Sequence, residues 1–477
     1  MLSKIQSTIW DNPIYFLKTS DCQSENKLKL MLLLLFVINL PINQLFAQST
    51  ILDNYVEEGL KSNLAMQRQG LTLDRQVESL KEARGMFYPN VSFNADYTLA
   101  RGGRMIELPI GDLLNPVYST LNEMNESNNF SMVDNVEEQF LPNKFHDTKL
   151  RLIQPIFNSE IFYNYKASKD LVSIQQAKKD VYQKELTKEI KVAYYKYIQA
   201  KEALNIYTET RQLLNEVLRV NKKLVDNDKA TSEIIFDAEY EISKLDEEEA
   251  FATKDMEISK AWFNFLLNRD QQTEIETDTA VFQSISEQVL DTENLEDQAL
   301  TSRDELNQIR SSVSVENQLL NMSKSSSLPT VSLVADVGFQ GYGYQFDSSQ
   351  DYWLTQISLK WNLFQGLQNK SKIQQHQITL KELDTQQQEL EAQIRLQVRE
   401  SLHDYIAARK SLAAATASLE SAQSSFRINQ RKYQEGQTPY INLVDARTKF
   451  TNARFSKLIA SYSLLEKQAV LERIAGL

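Results

Sequence analysis

The sequence predicts a mostly α-helical chain with a small membrane-spanning β part, built as an internal duplication. Each half supplies two strands and two long helices. Three observations predict it. Gly (12) and Pro (9) are scarce among 477 residues, where average usage would give roughly 57 of the two together. Residues 156–328 and 367–435 contain neither, and runs of that length mean long helices. Four short segments alternate apolar and polar residues with the period of a strand, and flanking motifs recur at fixed offsets.

Along the chain, the first element is an export signal. Lys27 and Lys29 precede the apolar run Leu30 to Leu40, and Leu45-Phe46-Ala47 ends on a small residue. This is a basic region, a short apolar region and a cleavage site, and eleven apolar residues are too few to span a bilayer. Cleavage after Ala47 removes Cys22, the only cysteine, and leaves a chain with a net charge near -13 against -12 for the whole.

The first strand alternates Val91, Phe93, Ala95, Tyr97 and Leu99 with Ser92, Asn94, Asp96 and Thr98. The second, weaker, sets Leu150, Leu152 and Ile156 against Lys149 and Arg151. The third runs from Val331 to Phe339, the fourth from Trp353 to Leu363. Each has the length of a tilted transmembrane strand of about ten residues. Trp353 and Trp361, eight residues apart, are expected on one face near the two edges of an apolar band. Tyr342, Tyr344 and Tyr352 join them as an aromatic girdle. A helix from Asn164 to Val225 would be roughly 93 Å long, and Ile394, Val398, Leu402, Tyr405, Leu412, Leu419, Ala422 and Phe426 form a coiled-coil-like stripe.

Pro89 and Pro329 are 240 apart, as are Leu80 and Leu320. Gln154-Pro155-Ile156-Phe157 and Trp361-Asn362-Leu363-Phe364 are 207 apart, and Tyr197-Ile198 and Tyr405-Ile406, Leu204 and Leu412, and Asp237-Ala238 and Asp445-Ala446 are 208 apart. The shortened offset places about 33 extra residues between the first two strands, within Gly102 to His146, a stretch that reads as a long loop. Four strands cannot close a barrel, and an open sheet leaves unpaired edges in lipid. Closure therefore needs several copies; three would give twelve strands.

Other function classes find little support. The acidic balance disfavours nucleic acid. One Cys and three His leave too few ligands for a Cys/His metal site, and His146, His376 and His403 have no second ligand at four-residue spacing. No catalytic constellation or cofactor loop stands out, so no enzyme and no cofactor is expected. An exported soluble coiled-coil scaffold explains the helices, though not the strands; it would stay soluble where a closed barrel needs detergent.

The residues resemble the TolC-like outer-membrane efflux family over about 51–475. Arg303-Asp304-Glu305-Leu306 resembles the family's Arg-Pro-Glu-Leu stretch, with Asp304 in place of Pro. Trp361-Asn362-Leu363-Phe364-Gln365-Gly366 resembles its exit from the fourth strand. Arg431-Lys432-Tyr433 with Gly436, followed by Leu443-Val444-Asp445-Ala446, resembles its most specific motif, at the turn between the last two helices. The resemblance implies a homotrimer with a twelve-stranded β-barrel in outer-membrane lipid and an α-helical barrel crossing the periplasm. It implies an exit duct gated at its periplasmic end, serving a periplasmic membrane-fusion adaptor and an inner-membrane transporter.

The chain then divides into the signal with its extended basic region (1–47) and short helices of the tube and equatorial region (48–89 and 292–329). The first β-hairpin with its extracellular loop 102–146 is 90–157, and the first helical hairpin with an equatorial segment is 158–291. The second β-hairpin is 330–364 and the second helical hairpin 365–477. The resemblance implies that Asn442 and Asp445 line the periplasmic aperture. Gly436 ends a helix, and Thr438 and Pro439 are expected to start the next as N-cap and first residue. The turn Asp226-Asn227-Asp228, with Tyr433, Gly436, Thr438 and Pro439, is an expected adaptor contact.

Overall fold

The computed structural model describes residues 51–278 and 291–476. The expected signal, with Lys27, Lys29, the apolar run, Cys22 and Ala47, lies outside them, as does part of the expected equatorial segment.

The chain begins with α1 (Ile51–Ser62) and α2 (Leu64–Gly85), then β1 (Asn90–Thr98). A short hairpin of β2 (Met105–Leu108) and β3 (Val136–Gln139) brackets α3 (Ile110–Met124). Next come β4 (Phe145–Phe157), α4 (Ser159–Asp226) and α5 (Glu233–Leu266). The second half repeats the order: α6 (Thr292–Ser302), α7 (Asp304–Ser325), β5 (Thr330–Tyr342), β6 (Asp351–Lys360), α8 (Gln368–Gln434) and α9 (Tyr440–Ala475). Local chemistry sets several starts. The Asn63 side chain accepts from the Ala65 and Met66 N–H groups to open α2, and Asn158 does the same for α4 with Glu160 and Ile161.

The strands form one antiparallel sheet in the order β1-β4-β5-β6. Beneath it the helices that flank these strands in sequence pack in the same order, α2 on α4, α4 on α7 and α7 on α8. Further down the order is α5, α4, α9, α8. The result is one continuous wall with two free edges. One edge runs along β1, α2 and α5, the other along β6 and α8.

The duplication is visible in the packing. Leu186, Ile190, Tyr194 and Tyr197 are all buried in one core cluster. Their partners 208 residues on, Ile394, Val398, Leu402 and Tyr405, are all buried in a second. A third cluster at the far end of the helices gathers Ala238, Phe426, Tyr433, Tyr440, Leu443 and Ala446. Leu412, Leu419 and Ala422 of the expected stripe are half-buried, as suits a helix whose other face is wet.

Three sequence expectations need correction. The stretch 102–146 is not an irregular loop: it holds β2, α3 and β3. Its acid- and Asn-rich character hid a helix whose apolar residues recur at three- and four-residue spacing. His146 lies in β4 rather than in the loop and is fully buried. In β4 the pairing with β5 slips between Pro155 and Phe157, so that Phe157, not Ile156, comes into register with Val331. Pro155 has no N–H to give to the ladder, and a bulge beside it absorbs the irregularity.

Candidate functional site

The sheet has two chemically distinct faces. Its register puts Val91, Phe93, Ala95 and Tyr97 beside Leu152, Leu150, Thr148 and His146, and these beside Ala335, Val337 and Phe339. Trp353, Ile357 and Leu359 complete the row. Most of this face is bare: Phe93, Val337, Trp353 and Ile357 are each more than 60 % exposed. The other face carries Ser92, Asn94, Asp96, Asp147, Lys149, Arg151, Asp336, Gln356 and Ser358. Arg151 grips Asp336 with two hydrogen bonds, Nε to Oδ1 at 2.8 Å and Nη2 to Oδ2 at 2.7 Å, and Lys149 pairs with Asp147. One oily face and one ion-paired face is the dyad pattern of a strand between lipid and a wet lumen.

The aromatic residues divide between these faces. Trp353 is 77 % exposed on the apolar face, and Tyr342, Tyr344 and Trp361 are also exposed. Tyr344 stacks on Tyr97 and His146 at centroid distances of 5.4 and 4.7 Å. Trp361 lies one residue past the end of β6, where its indole N–H donates to the Ser327 carbonyl. Tyr342, paired with Phe145, has the parity of the polar face and leaves the girdle, and so does Tyr352. Tyr352 is adjacent to Trp353 and so points to the polar face, where its hydroxyl donates to Asp147 Oδ1 at 2.9 Å. At the helix end of the sheet, Tyr88, Phe157, Phe162, Leu363 and Phe364 are exposed as well, with Lys166 Nζ 4.4 Å above the Phe162 ring. Sequence reasoning missed this row because Leu363 was read as part of a strand and Phe364 as part of a motif, while Tyr88 and Phe162 carried no signal of their own.

At the opposite end of the molecule the two helical hairpins turn alike. Asp226 ends α4, Asn227 caps it, and Asp228 has φ +55°. Gly436, 208 residues on, has φ +70°. The hydrogen bonds match too. Lys229 N–H donates to the Leu224 carbonyl at 2.9 Å, and Gln437 N–H to the Lys432 carbonyl at 2.8 Å. This is the six-to-one bond that closes a helix through a left-handed residue. The restart differs from the expectation. α9 opens at Tyr440 with Pro439 at the cap position, and the Thr438 hydroxyl accepts from the Asn442 side chain at 3.0 Å instead of capping the backbone. Both readings concern a boundary one residue wide.

Asn442 and Asp445 share an exposed face of α9. Asp445 is not alone there: Lys449 Nζ lies 2.7 Å from its Oδ2, both side chains being exposed. Behind that face the two hairpins are tied together. The Tyr433 hydroxyl donates to Asn221 Oδ1 at 2.6 Å, and Asn221 Nδ2 donates to the Ile234 carbonyl at 2.8 Å. Asn221 is fully buried, and burial raises the Tyr433 phenol above its ordinary range. Arg447, 8 % exposed, reaches Glu241 Oε2 of α5 at 2.5 Å. The Tyr440 hydroxyl, pushed up to about 12 by burial, has no hydrogen-bond partner. Sequence reasoning found Tyr433 through its motif but not Asn221 or Arg447, whose role appears only when hairpins from different halves meet.

Among the described residues no group of three or more metal-ligating side chains comes together, and no helix is long and apolar enough to cross a membrane.

Residues 295–477 match the family described as outer membrane efflux protein. Curated proteins yield no significant match. Among solved structures, the chain is similar to a membrane protein from Pseudomonas aeruginosa, with TM-score 0.73 and 14 % identity over 90 % of this chain and 94 % of that one. It is similar to the CmeC outer membrane channel of Campylobacter jejuni, with TM-score 0.69 and 14 % identity over 90 % and 86 %. It is similar to the open state of the Neisseria gonorrhoeae MtrE outer membrane channel, with TM-score 0.69 and 14 % identity over 89 % and 88 %.

Proposed function

Because residues 295–477 are an outer membrane efflux protein domain and the described chain has the fold of TolC-like outer-membrane channels, we propose that the protein is an outer-membrane efflux channel. It is the exit duct of a tripartite export system, and it extends into the periplasm.

The observation that carries this reading is the continuous two-edged wall. A sheet with one apolar face and unpaired edges at β1 and β6 is not viable in lipid until copies close it. The helical part has matching open edges. Along α5, Phe236, Tyr240, Phe251, Ile258, Trp262 and Phe265 are each more than half exposed, and on α8 so are Ile378, Leu396 and Ile428. Such stripes mark an interface rather than a wet surface. Three copies joined β6 to β1 and α8 to α5 give a twelve-stranded barrel over a helical tube.

The periplasmic end is the gate. Asn442 and Asp445 line the aperture, with Lys449 beside them, so a ring of carboxylates carries a ring of ammonium groups. An exposed pair of this kind contributes only about 0.5 kcal/mol of stability, yet it sets the local field in a narrow opening. The Asn221–Tyr433 bond and the Arg447–Glu241 pair hold the second hairpin against the first and so favour the closed state. The turns at Asp226–Asp228 and Gln437–Pro439 are the exposed tips where a periplasmic adaptor docks, linking the duct to an inner-membrane transporter.

Planar-bilayer recording on detergent-extracted protein tests the reading. The expected result is a pore that Asp445→Ala shifts toward anions and Lys449→Ala shifts toward cations. A pore whose selectivity ignores both substitutions moves the constriction elsewhere. Protein that never needs detergent and forms no pore supports the exported coiled-coil scaffold instead.

A further inference from the structure

The segment between β1 and β4 is a built platform. Asn115 of α3 donates to the Val133 carbonyl at 2.9 Å and accepts from the Val133 N–H at 2.8 Å. Asn122 donates to the Phe130 carbonyl at 2.8 Å and accepts from its N–H at 3.0 Å. Asn135 Nδ2 donates to Asp112 Oδ2 at 3.0 Å. The approach is close enough that a Cβ at Gly111 would lie 2.3 Å from the Val133 carbonyl. The helix is thus seated by its polar side. Leu113, Val117 and Met124, spaced for one helical face, are left outward, with Leu121 between them half-buried. Leu113 is 70 % and Met124 76 % exposed.

Two facts select what covers this face. Residues 105–143 carry seven carboxylates and no Lys or Arg. A helix lying on an anionic lipid surface needs basic residues on its polar side; here that side holds Asp112 and Glu123, opposite the apolar stripe. The segment also springs from Thr98, the last residue of β1, the free edge that the next copy's β6 must meet. The segment is therefore tethered beside the seam between copies. Resting on the channel reading above, we propose that α3 packs its apolar face against the same face of a second copy, the copies meeting over the extracellular mouth. The reach suffices: fifteen residues of helix span about 22 Å, against a radius of roughly 12 Å for twelve strands at ordinary spacing and tilt. The carboxylates repel across this contact, so it tightens as salt screens them.

Cross-linking tests it, since the chain's only cysteine lies in the leader. Full-length trimer bearing Leu113→Cys, or Ser119→Cys on the opposite face as control, is treated with a short bis-maleimide, and its oligomeric state is measured in parallel. The expected result is an inter-copy dimer at least tenfold more abundant for Leu113→Cys, rising with salt. A trimer without that enrichment overturns the inference and leaves the channel reading intact. Absence of any oligomer defeats the channel reading itself. In proteoliposomes, a fluorophore is attached to the thiol of the Leu113→Cys variant. Its quenching by brominated lipid would assign the face to lipid and also overturn the inference. Labelling with neither cross-link nor quenching leaves the face to solvent, with the same consequence.

Discussion

At the tips of their helical hairpins the two halves turn through the same backbone bonds with different residues, Asp228 in one and Gly436 in the other. At the opposite end they share nothing: β1 and β4 are separated by 46 residues with a helix, β5 and β6 by an eight-residue turn. The starts of α2 and α7 fall between these extremes. Both helices have 22 residues, but Asn63 caps the first with its side chain, whereas Arg303 caps nothing in the second and instead bonds Glu305 and Gln397. The difference shows what the wall requires. Where a strand or helix must continue into its neighbour, geometry is kept and chemistry varies. Where the chain leaves the wall, length is free.

The largest expected effect comes from cutting the ties that make the halves unequal partners. Tyr433→Phe leaves Asn221 Oδ1 buried without a donor, a loss of about 1–3 kcal/mol. Arg447→Leu does the same to Glu241 on a longer arm. Each alone is expected to raise single-channel conductance modestly, and the pair together several-fold, because either tie suffices to hold the hairpin in. An additive, small change would mean that the aperture does not depend on the second hairpin swinging away from the first.

The helix starts offer the next test. Burial works against the Glu305 charge, yet hydrogen bonds from Arg303 and Arg473 hold its carboxyl down to about 2, against a reference of 4.5. A depressed carboxyl stabilises the fold above its unfolded value, and that contribution is lost as pH falls from there toward about 2. The shift corresponds to about 3 kcal/mol. Glu305→Gln should lower stability by that order at pH 7 in denaturant unfolding, and the deficit should vanish near pH 2. Asn63→Ala at the matching position should cost about 1–2 kcal/mol at every pH, since its three shorter bonds, at 2.9–3.0 Å, go to backbone groups. Equal pH profiles would erase the distinction between the two caps.

Much of this was legible in the sequence for a physical reason: a wall repeated twice writes its period twice. Strand alternation, the Gly- and Pro-free runs and the 208- and 240-residue offsets all express backbone geometry that every copy of the unit must satisfy. The reading failed where a residue did another's work. Asn268, with φ +55° after α5, ends a helix without Gly, so the place where α5 stops inside the long Gly-free run had no local signal. Tyr342 and Tyr352 were grouped by residue type with Tyr344 and Trp353, although their parity beside Phe339 and Trp353 already placed them on the opposite face. In the candidate site, Asp445 was singled out by its motif, and the structure places it on an exposed face of α9. Its partner Lys449 was legible too, four residues on, but the Asn221–Tyr433 and Arg447–Glu241 contacts join segments more than 200 residues apart and leave no local signal.

The smallest effect bears most directly on the matched turns. A left-handed conformation costs a side-chain-bearing residue about 1–2 kcal/mol, less for Asp, whose short polar chain bonds locally. Gly436 has open space around its would-be Cβ, so Gly436→Ala meets no clash and is expected to lose about 1 kcal/mol from backbone strain alone. Asp228→Gly relieves strain but frees the unfolded chain, and the two nearly cancel, leaving a change within about 0.5 kcal/mol. Parallel unfolding curves of the two variants would therefore separate strongly at one tip and hardly at the other. If Gly436→Ala were neutral while Asp228→Gly stabilised markedly, the strain would reside in the first half, and the likeness of the two turns would be one of shape without likeness of energy.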